Sequence, residues 1–247
     1  MECPGRSGTL TPMRLICLLC LAVVPLAAAP RHFASGATRT NTIELFSSEG
    51  CSSCPPAESW MAGLRDAPGL WRDFVPLVFH VAYWDRLGWR DRFASQQFTA
   101  RQYAYADQWH SHSVYTPGFV LNGAEWRQGF GPKLPAPSTE SAGPLTVEYM
   151  DNGQCRVQFA APGDYEISAA LLGGGIVSSV AAGENAGRTL HHEFVALWLE
   201  KVRLVDGVAT LNLPSASVAG VSRHALAVWV TQRGGFTPVQ ATGGWLD

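Results

Sequence analysis

The sequence predicts an α/β domain in the N-terminal half of the chain and a mainly antiparallel, sandwich-like β domain in the C-terminal half. In the first half, residues 42–47 alternate in hydrophobicity as a strand does, and residues 59–70 carry apolar positions typical of a short helix. Residues 74–81 then form a near-continuous apolar run of the kind that is buried in a parallel sheet. Beyond residue 144 the apolar residues recur mostly with period two, between turns rich in Gly, Asn, Asp and Pro.

Two further elements complete the first region. Residues 95–109 have the pattern of a second helix, and residues 114–121 form an apolar run that ends directly before Asn122-Gly123. Asn-Gly between two apolar runs is the strongest short signal for a β-hairpin. We therefore expect this region to end in a hairpin.

A stretch rich in Pro, Gly and Ser over residues 131–144 has no hydrophobic periodicity, which indicates a domain boundary. We place the first domain over 38–135 and the second over 144–247. The chain has 247 residues and a formal net charge of −2, with no basic block that would neutralise a phosphate backbone. We therefore expect no nucleic-acid partner.

The N-terminal segment has the pattern of a secretory signal peptide over residues 1–29. Arg6 and Arg14 precede the apolar run 15–26, and small residues follow it. A cleavage site as late as residue 37 is also open. The run holds about 12 apolar residues, fewer than the ~20 that span a bilayer. We expect a secreted or periplasmic protein that has no membrane span once the signal is removed.

Cysteine usage agrees with export. Three of the six cysteines lie in the predicted signal peptide, so that Cys51, Cys54 and Cys155 remain. In an oxidising compartment, the two that are separated by two residues are the expected disulfide pair. Cys155 alternates with Val157 and Phe159 on one face of a predicted strand, which indicates a buried thiol.

The Cys51-x-x-Cys54 pair lies directly after a predicted strand and before a predicted helix. A helix N-terminus at this point stabilises a thiolate on the first cysteine. A thiolate attacks a disulfide, and a neighbouring thiol then resolves the mixed disulfide. We therefore predict Cys51 as the nucleophile and Cys54 as the resolving cysteine. Because Pro55 disfavours helical angles at Cys54, a helix that starts only at Pro56 is also open.

Thr116-Pro117 precedes a predicted strand and has the place, in chain order, of the proline that faces the cysteine pair in thioredoxin-like folds. The order strand, cysteine pair, helix, strand, helix, proline, hairpin favours a thioredoxin-like α/β domain, a mixed sheet flanked by helices. In that fold a cis Pro117 helps to seat the substrate, because it exposes the backbone of Thr116 to an extended segment. An ordinary turn proline is the alternative.

Trp84 and Asp85 lie in the polar and aromatic segment 83–89, which follows the second predicted strand. We predict that both residues, together with Thr116, bind substrate in a cleft beside the cysteine pair. Capping of the sheet by the aromatic rings is the alternative.

Five segments form a specific pattern that spans nearly all of the chain after the signal peptide. They are FSSEGCSSCPPA at 46–57, HVAYWDRLGW at 80–89, RQY at 101–103, YTP at 115–117 and GENAGRTL at 183–190. Together they resemble the secreted family called domain of unknown function 1223. The resemblance implies a thioredoxin-like fold and an exported location, and it brings no known reaction. This chain has Ala82 where the family pattern leads us to expect an acidic residue, so no role is carried over to that position.

The sequence thus predicts dithiol-disulfide exchange with a protein or small-molecule thiol or disulfide partner, without a bound cofactor or metal. Two other classes stay open. The first is a non-catalytic secreted binding module in which the Cys51–Cys54 bridge only braces a loop. The second is a copper(I) site in which both cysteines bind together with His80, His110 or His112. The sequence indicates no oligomeric state.

Overall fold

The computed structural model describes residues 1–3, 5, 29–127, 133–214 and 219–246. Most of the predicted signal peptide and part of the predicted domain boundary lie outside the described residues. The signal peptide and its cleavage site therefore stay predictions.

The described residues form fourteen β-strands and two α-helices. The strands are β1 Arg31–Ala34, β2 Asn41–Ser47, β3 Phe74–His80, β4 Gly118–Leu121, β5 Ala124–Glu125, β6 Leu145–Tyr149, β7 Gln154–Phe159, β8 Tyr165–Gly174, β9 Ile176–Ser179, β10 Thr189–His192, β11 Val195–Arg203, β12 Val208–Asn212, β13 Arg223–Gln232 and β14 Pro238–Trp245. The helices are α1 Pro55–Gly63 and α2 Gln96–Gln108, and short 3₁₀ helices occupy Leu64–Asp66 and Ala82–Leu87.

The largest sheet has eight strands in the order β14-β13-β8-β11-β3-β2-β4-β5. The β2–β3 and β3–β11 pairs are parallel, and the other neighbours are antiparallel. A second sheet contains β1-β6-β7-β12, and β9 pairs with β10. The large sheet therefore takes strands from both halves of the sequence.

The predicted fold class is wrong. The protein is mainly β, with large mixed and antiparallel sheets, and is not a thioredoxin-like α/β domain flanked by helices and followed by a separate sandwich. The reason is a long-range pairing that no local pattern encodes. Strand β11 lies parallel to β3, where Val78 N–H donates to Phe194 O at 2.9 Å. Four strands that local patterns assign to the second region thereby extend the sheet of the first. The predicted domain boundaries themselves stay a prediction.

Strand β8 shows why the second half is so apolar. Its neighbouring residues Leu172 and Leu171 point to opposite faces of the sheet and enter two different hydrophobic clusters. The first cluster packs around α1, β2 and β3, and the second fills the space under the four-stranded sheet. Cys155 belongs to the second cluster and is fully buried, which confirms the predicted core thiol. Burial raises the pKa of this thiol to about 12.

Local elements follow the sequence more closely than the fold does. Ser95 caps α2 by accepting a hydrogen bond from Phe98 N–H at 3.1 Å. The hairpin expected at Asn122-Gly123 joins β4 to β5, and both turn residues have positive φ. No helix in the described part of the chain is long and apolar enough to cross a membrane.

Candidate functional site

The two cysteines lie in a tight turn between β2 and α1. Cys51 N–H donates to Ser48 O at 3.1 Å, and Cys54 N–H donates to Cys51 O at 3.2 Å. Cys51 and Cys54 form a disulfide across this turn, with their Cα atoms 5.5 Å apart. The structure thus pairs the two cysteines that the sequence pairs.

Helix α1 begins at Pro55, earlier than the alternative start at Pro56. Cys54 is the residue before the helix and has helical angles (φ −77°, ψ −34°) although a proline follows it. Its carbonyl accepts a hydrogen bond from Glu58 N–H at 3.1 Å. The alternative with a non-helical Cys54 and a helix that starts at Pro56 is therefore wrong, because the first helical hydrogen bond and the fixed φ of the prolines outweigh the local restriction.

The segment before β4 faces the cysteine turn. The Thr116–Pro117 peptide bond is cis, as the order of elements predicts. Thr116 O lies 3.8 Å from Cys51 Sγ and 3.4 Å from Ser53 Oγ. Trp84 Nε1 donates to Thr116 Oγ1 at 2.8 Å. Four predicted site residues, Cys51, Thr116, Pro117 and Trp84, thus lie together.

Asp85 has different surroundings from Trp84. It accepts a hydrogen bond from Asp91 N–H at 3.2 Å, and partial burial raises the pKa of its carboxyl group. This contact places the Asp85 carboxyl group beside Asp91, a buried residue behind the cysteine turn. Its predicted role in substrate binding stays a prediction.

A loop from the C-terminal half covers the cysteine turn. Asn185 is fully buried, and its side-chain amide donates to Glu49 O and to Cys51 O, both at 2.9 Å. Glu184 accepts hydrogen bonds from Ser52 N–H at 3.0 Å and from Ser52 Oγ at 2.7 Å. Local sequence reasoning explains Asn185 as a turn residue. Segment 183–190 contributes to the family resemblance, but neither Asn185 nor Glu184 was predicted as a site residue.

The consequence of this cover is complete burial of the disulfide. Cys51 and Cys54 both have an exposed fraction of 0%. A reagent therefore reaches either sulfur only when neighbouring groups move.

A charged cluster lies directly behind the turn, in the interior. We call it the His/carboxylate cluster, and it consists of Glu49, Glu58, His80, Asp91 and His192. His80 Nδ1 lies 2.7 Å from Asp91 Oδ2, and His80 Nε2 lies 3.6 Å from Glu58 Oε1. His192 Nδ1 contacts Glu58 Oε2, and His192 Nε2 lies 3.4 Å from Glu49 Oε1. All five residues are less than a tenth exposed.

The charges in this cluster stabilise one another. Burial alone would lower the pKa of His192, but Glu58 and Glu49 outweigh it and raise the value to about 10. Burial alone would raise the pKa of Asp91, but His80 lowers it to about 2. The carboxylates and imidazoles of the cluster therefore favour the ionised forms of one another.

The sequence did not predict this cluster as a group, and it indicated His80 only as a candidate copper(I) ligand. Its members come from the turn after β2, from α1, from β3, from the segment before α2 and from β10, and no periodic pattern links them. The exposed residues His110 and His112 follow α2. The group in the described residues whose ligand-type atoms all lie within 4.8 Å of one another comprises Glu58, His80 and His192, without a cysteine. The structure therefore does not bring together the donor set expected for copper(I).

Comparison with known structures shows what the fold is similar to. A crystal structure of a structural-genomics target protein from Agrobacterium tumefaciens is 24% identical, with a TM-score of 0.59 over 83% of this chain and 94% of that chain. The structure of HBP35 of Porphyromonas gingivalis is 11% identical, with a TM-score of 0.55 over 86% of this chain and 77% of that chain. At these identities the likeness concerns the fold alone.

No curated protein matches the chain. The model of one protein family does match, over residues 42–231, and its description is "protein of unknown function (DUF1223)". The match includes the cysteine turn, the segment around Pro117, the covering loop and every member of the His/carboxylate cluster. Because the match extends over most of the sequence, the chain belongs to the DUF1223 family.

Proposed function

We propose that the protein is a thiol-disulfide oxidoreductase that uses Cys51 and Cys54 and acts in a secreted or periplasmic setting. The observation that carries the proposal is the position of the pair at the start of α1, with Cys51 Sγ facing Thr116 O. The positive dipole end of a helix favours a thiolate, although Pro55 and Pro56 remove two backbone N–H groups from the first turn of α1. Ser53 Oγ lies 3.3 Å from Cys51 Sγ and is able to donate a hydrogen bond to that thiolate.

The exchange proceeds in two balanced steps. The Cys51 thiolate attacks one sulfur of a substrate disulfide, forms a mixed disulfide and releases the other substrate sulfur as a thiolate. Cys54, as a thiolate, then attacks Cys51 Sγ and releases the second substrate sulfur. The substrate gains two electrons and takes up two protons from solvent, and the Cys51–Cys54 disulfide forms again. In the opposite direction, the protein oxidises a substrate dithiol.

The buried disulfide requires a motion that opens the site. The contacts of Glu184 with Ser52 lie at the surface, where water replaces a broken hydrogen bond. We propose that the loop around Glu184 moves away when a protein or small-molecule partner docks beside Thr116 and Trp84. The disulfide then becomes accessible without unfolding of the sheet.

One observation favours a second candidate function. Because both cysteines are completely buried and Asn185 holds the turn, the bridge also suits a structural disulfide in a binding module. In that case the disulfide only fixes the turn that carries Ser52 and Ser53.

The reduction potential of the pair separates the two functions. Purified protein is equilibrated in a series of glutathione buffers, free thiols are alkylated, and peptide masses report Cys51 and Cys54 separately from Cys155. A midpoint between about −120 and −270 mV supports exchange, because known exchange proteins lie in this range. A bridge that remains closed below about −300 mV indicates a structural disulfide and contradicts the exchange proposal.

A trapping experiment tests the order of attack. With Cys54→Ser, we expect a mixed disulfide between Cys51 and glutathione to accumulate, because the resolving thiol is absent. With Cys51→Ser, we expect no adduct of this kind. Accumulation in the second variant alone would assign attack to Cys54.

A further inference from the structure

Three side chains of the His/carboxylate cluster direct their donor atoms into one small buried volume. Glu58 comes from α1, His80 from the end of β3 and His192 from the end of β10. Their ligand-type atoms all lie within 4.8 Å of one another. Three elements that are far apart in sequence therefore converge on one point directly behind the cysteine turn.

His80 is arranged as a metal-binding histidine is. Its Nδ1 atom is held by Asp91, which is itself fixed by hydrogen bonds from Glu49 N–H at 2.8 Å and Phe93 N–H at 2.9 Å. Its Nε2 atom is fully buried and has no hydrogen-bond partner, although it points toward Glu58 Oε1 at 3.6 Å. A histidine that binds a metal through one ring nitrogen almost always gives the other to a carboxylate, a carbonyl or water. An unpaired ring nitrogen in the interior is otherwise unfavourable.

His192 repeats this arrangement with the opposite ring nitrogen. Its Nδ1 atom contacts Glu58 Oε2, and its Nε2 atom lies 3.4 Å from Glu49 Oε1. Glu49 is in turn held by Trp89 Nε1, which donates to Glu49 Oε2 at 2.7 Å. Each imidazole thus presents one nitrogen to Glu58 and the other to a separate, anchored carboxylate.

A divalent cation fits the charge of the cluster. Its three carboxylates carry a formal charge of −3 when ionised, and neutral imidazoles do not offset that charge. A bound dication brings the sum to −1. A metal ion is therefore able to offset most of the buried negative charge.

We propose that Glu58, His80 and His192 bind one divalent transition-metal ion, with Asp91 and Glu49 as positioning residues. Two imidazoles and one carboxylate are a known donor set for zinc, and the same set binds iron(II) in other proteins. Neither cysteine belongs to this donor set, and Glu58 contacts the cysteine turn through the hydrogen bond from its N–H to Cys54 O. The metal fixes α1 against β3 and β10, behind the disulfide.

The test uses zinc with the purified, chelator-treated protein in its disulfide form. Elemental analysis after incubation and desalting is expected to give one zinc per chain. X-ray absorption at the zinc edge is expected to show imidazole and oxygen ligands at about 2.0–2.2 Å and no sulfur. Absence of zinc from the folded protein, or sulfur among its ligands, would overturn the proposal. This measurement needs no variant and therefore does not depend on how a substitution folds.

Matched variants test the identity of the ligands. His80→Gln and His192→Gln are each expected to lose stoichiometric zinc, whereas His191→Gln, at the exposed neighbouring position, is expected to keep it. Asp91→Asn is expected to weaken zinc affinity by about 10- to 100-fold while leaving the ligand types in the absorption spectrum unchanged. The double variant Cys51→Ser/Cys54→Ser is expected to keep one zinc per chain. Loss of zinc in this double variant, or equal loss in the His191 and His192 variants, would overturn the assignment.

Discussion

Two buried polar groups of this protein differ in how completely their atoms are paired. In the first, Arg101 donates to both oxygens of Glu44 at 2.8 and 2.9 Å, and Tyr105 Oη donates to Glu44 Oε1 at 2.6 Å. In the second, the His/carboxylate cluster, His80 Nε2, His192 Nε2 and Glu49 Oε1 are buried without a hydrogen bond.

The two groups are alike in burial, so burial does not explain the difference. The side chains of Arg101 and Glu44 are 8% and 1% exposed, and those of the imidazoles are at most 1% exposed. The Arg101 guanidinium also lies over the rings of Phe79, Tyr105 and Trp229. The paired group is complete without a ligand, whereas the other keeps three buried polar atoms without a hydrogen bond. Buried polar groups with unused donors or acceptors call for a functional explanation.

We expect the largest effect from a substitution that breaks the group formed by Arg101, Glu44 and Tyr105. Arg101→Leu leaves the Glu44 carboxylate buried without its cation, and we expect the free energy of unfolding to fall by about 3–5 kcal/mol. Denaturant unfolding measures this change. The matched control is Arg31→Leu, which removes a surface ion pair with Asp151 and should change stability by roughly 0–1 kcal/mol. A small effect of Arg101→Leu would contradict the view that this group is structural.

The second-largest expected effect comes from the binding of zinc to the His/carboxylate cluster. At a free zinc concentration about 100 times its dissociation constant, we expect the folded state to gain about 2.7 kcal/mol. Thermal or denaturant unfolding with and without zinc measures the gain. His191→Gln should show the same gain, and His192→Gln should show none. An equal gain in both variants would locate the stabilising zinc elsewhere.

A smaller effect concerns the link between the cluster and the cysteine turn. Asn185→Ala removes the two hydrogen bonds to Glu49 O and Cys51 O, although Cys51 O keeps its bond from Cys54 N–H. We expect a loss of about 1–3 kcal/mol in unfolding free energy. Thr242→Val, at another buried polar position, serves as a comparison, because its Oγ1 has no hydrogen-bond partner to lose. If both variants unfold alike, Asn185 does not hold the turn.

The smallest effect on stability is expected at the surface of the covering loop. Glu184→Gln weakens the contacts with Ser52 and should leave the unfolding curve almost unchanged. It should nevertheless increase the rate at which a small thiol reduces the Cys51–Cys54 disulfide, because the loop opens more often. Alkylation of free thiols at timed intervals measures the rate, with Glu140→Gln, which alters a surface ion pair with Arg39, as the control. An unchanged rate would mean that another motion exposes the sulfurs.

Local patterns predicted the parts of the fold that local forces determine. The cysteine pair between a strand and a helix, the hairpin at Asn122-Gly123 and the buried thiol of Cys155 all depend on residues within a few positions of one another. The pairing of β11 with β3 depends on residues more than a hundred positions apart, such as Val195 and Val78. The periodicity of one strand does not specify which other strand it pairs with. The predicted fold class was wrong for this reason.

The residues of the candidate site also fall into two sets, those that local patterns predicted and those that they did not. Cys51, Cys54, Thr116 and Trp84 lie in segments whose spacing or order carries a signal, and they meet in the structure. His192 and Asn185 lie on a strand and a turn that look ordinary in sequence. They join the site because β10 and the covering loop return to the cysteine turn after more than 130 residues.

The parallel contact between β11 and β3 also limits where this chain can be truncated. A shorter chain that ended before β8 would leave β3 as an open edge, with the Val78 N–H deprived of the Phe194 carbonyl. Such an edge is apolar and flat, and it offers a template for pairing with other molecules. The same cut would also remove His192, Glu184 and Asn185. The two halves of the sequence are therefore mutually dependent, since one half supplies the cysteines and the other supplies the strand and loop that keep them protected.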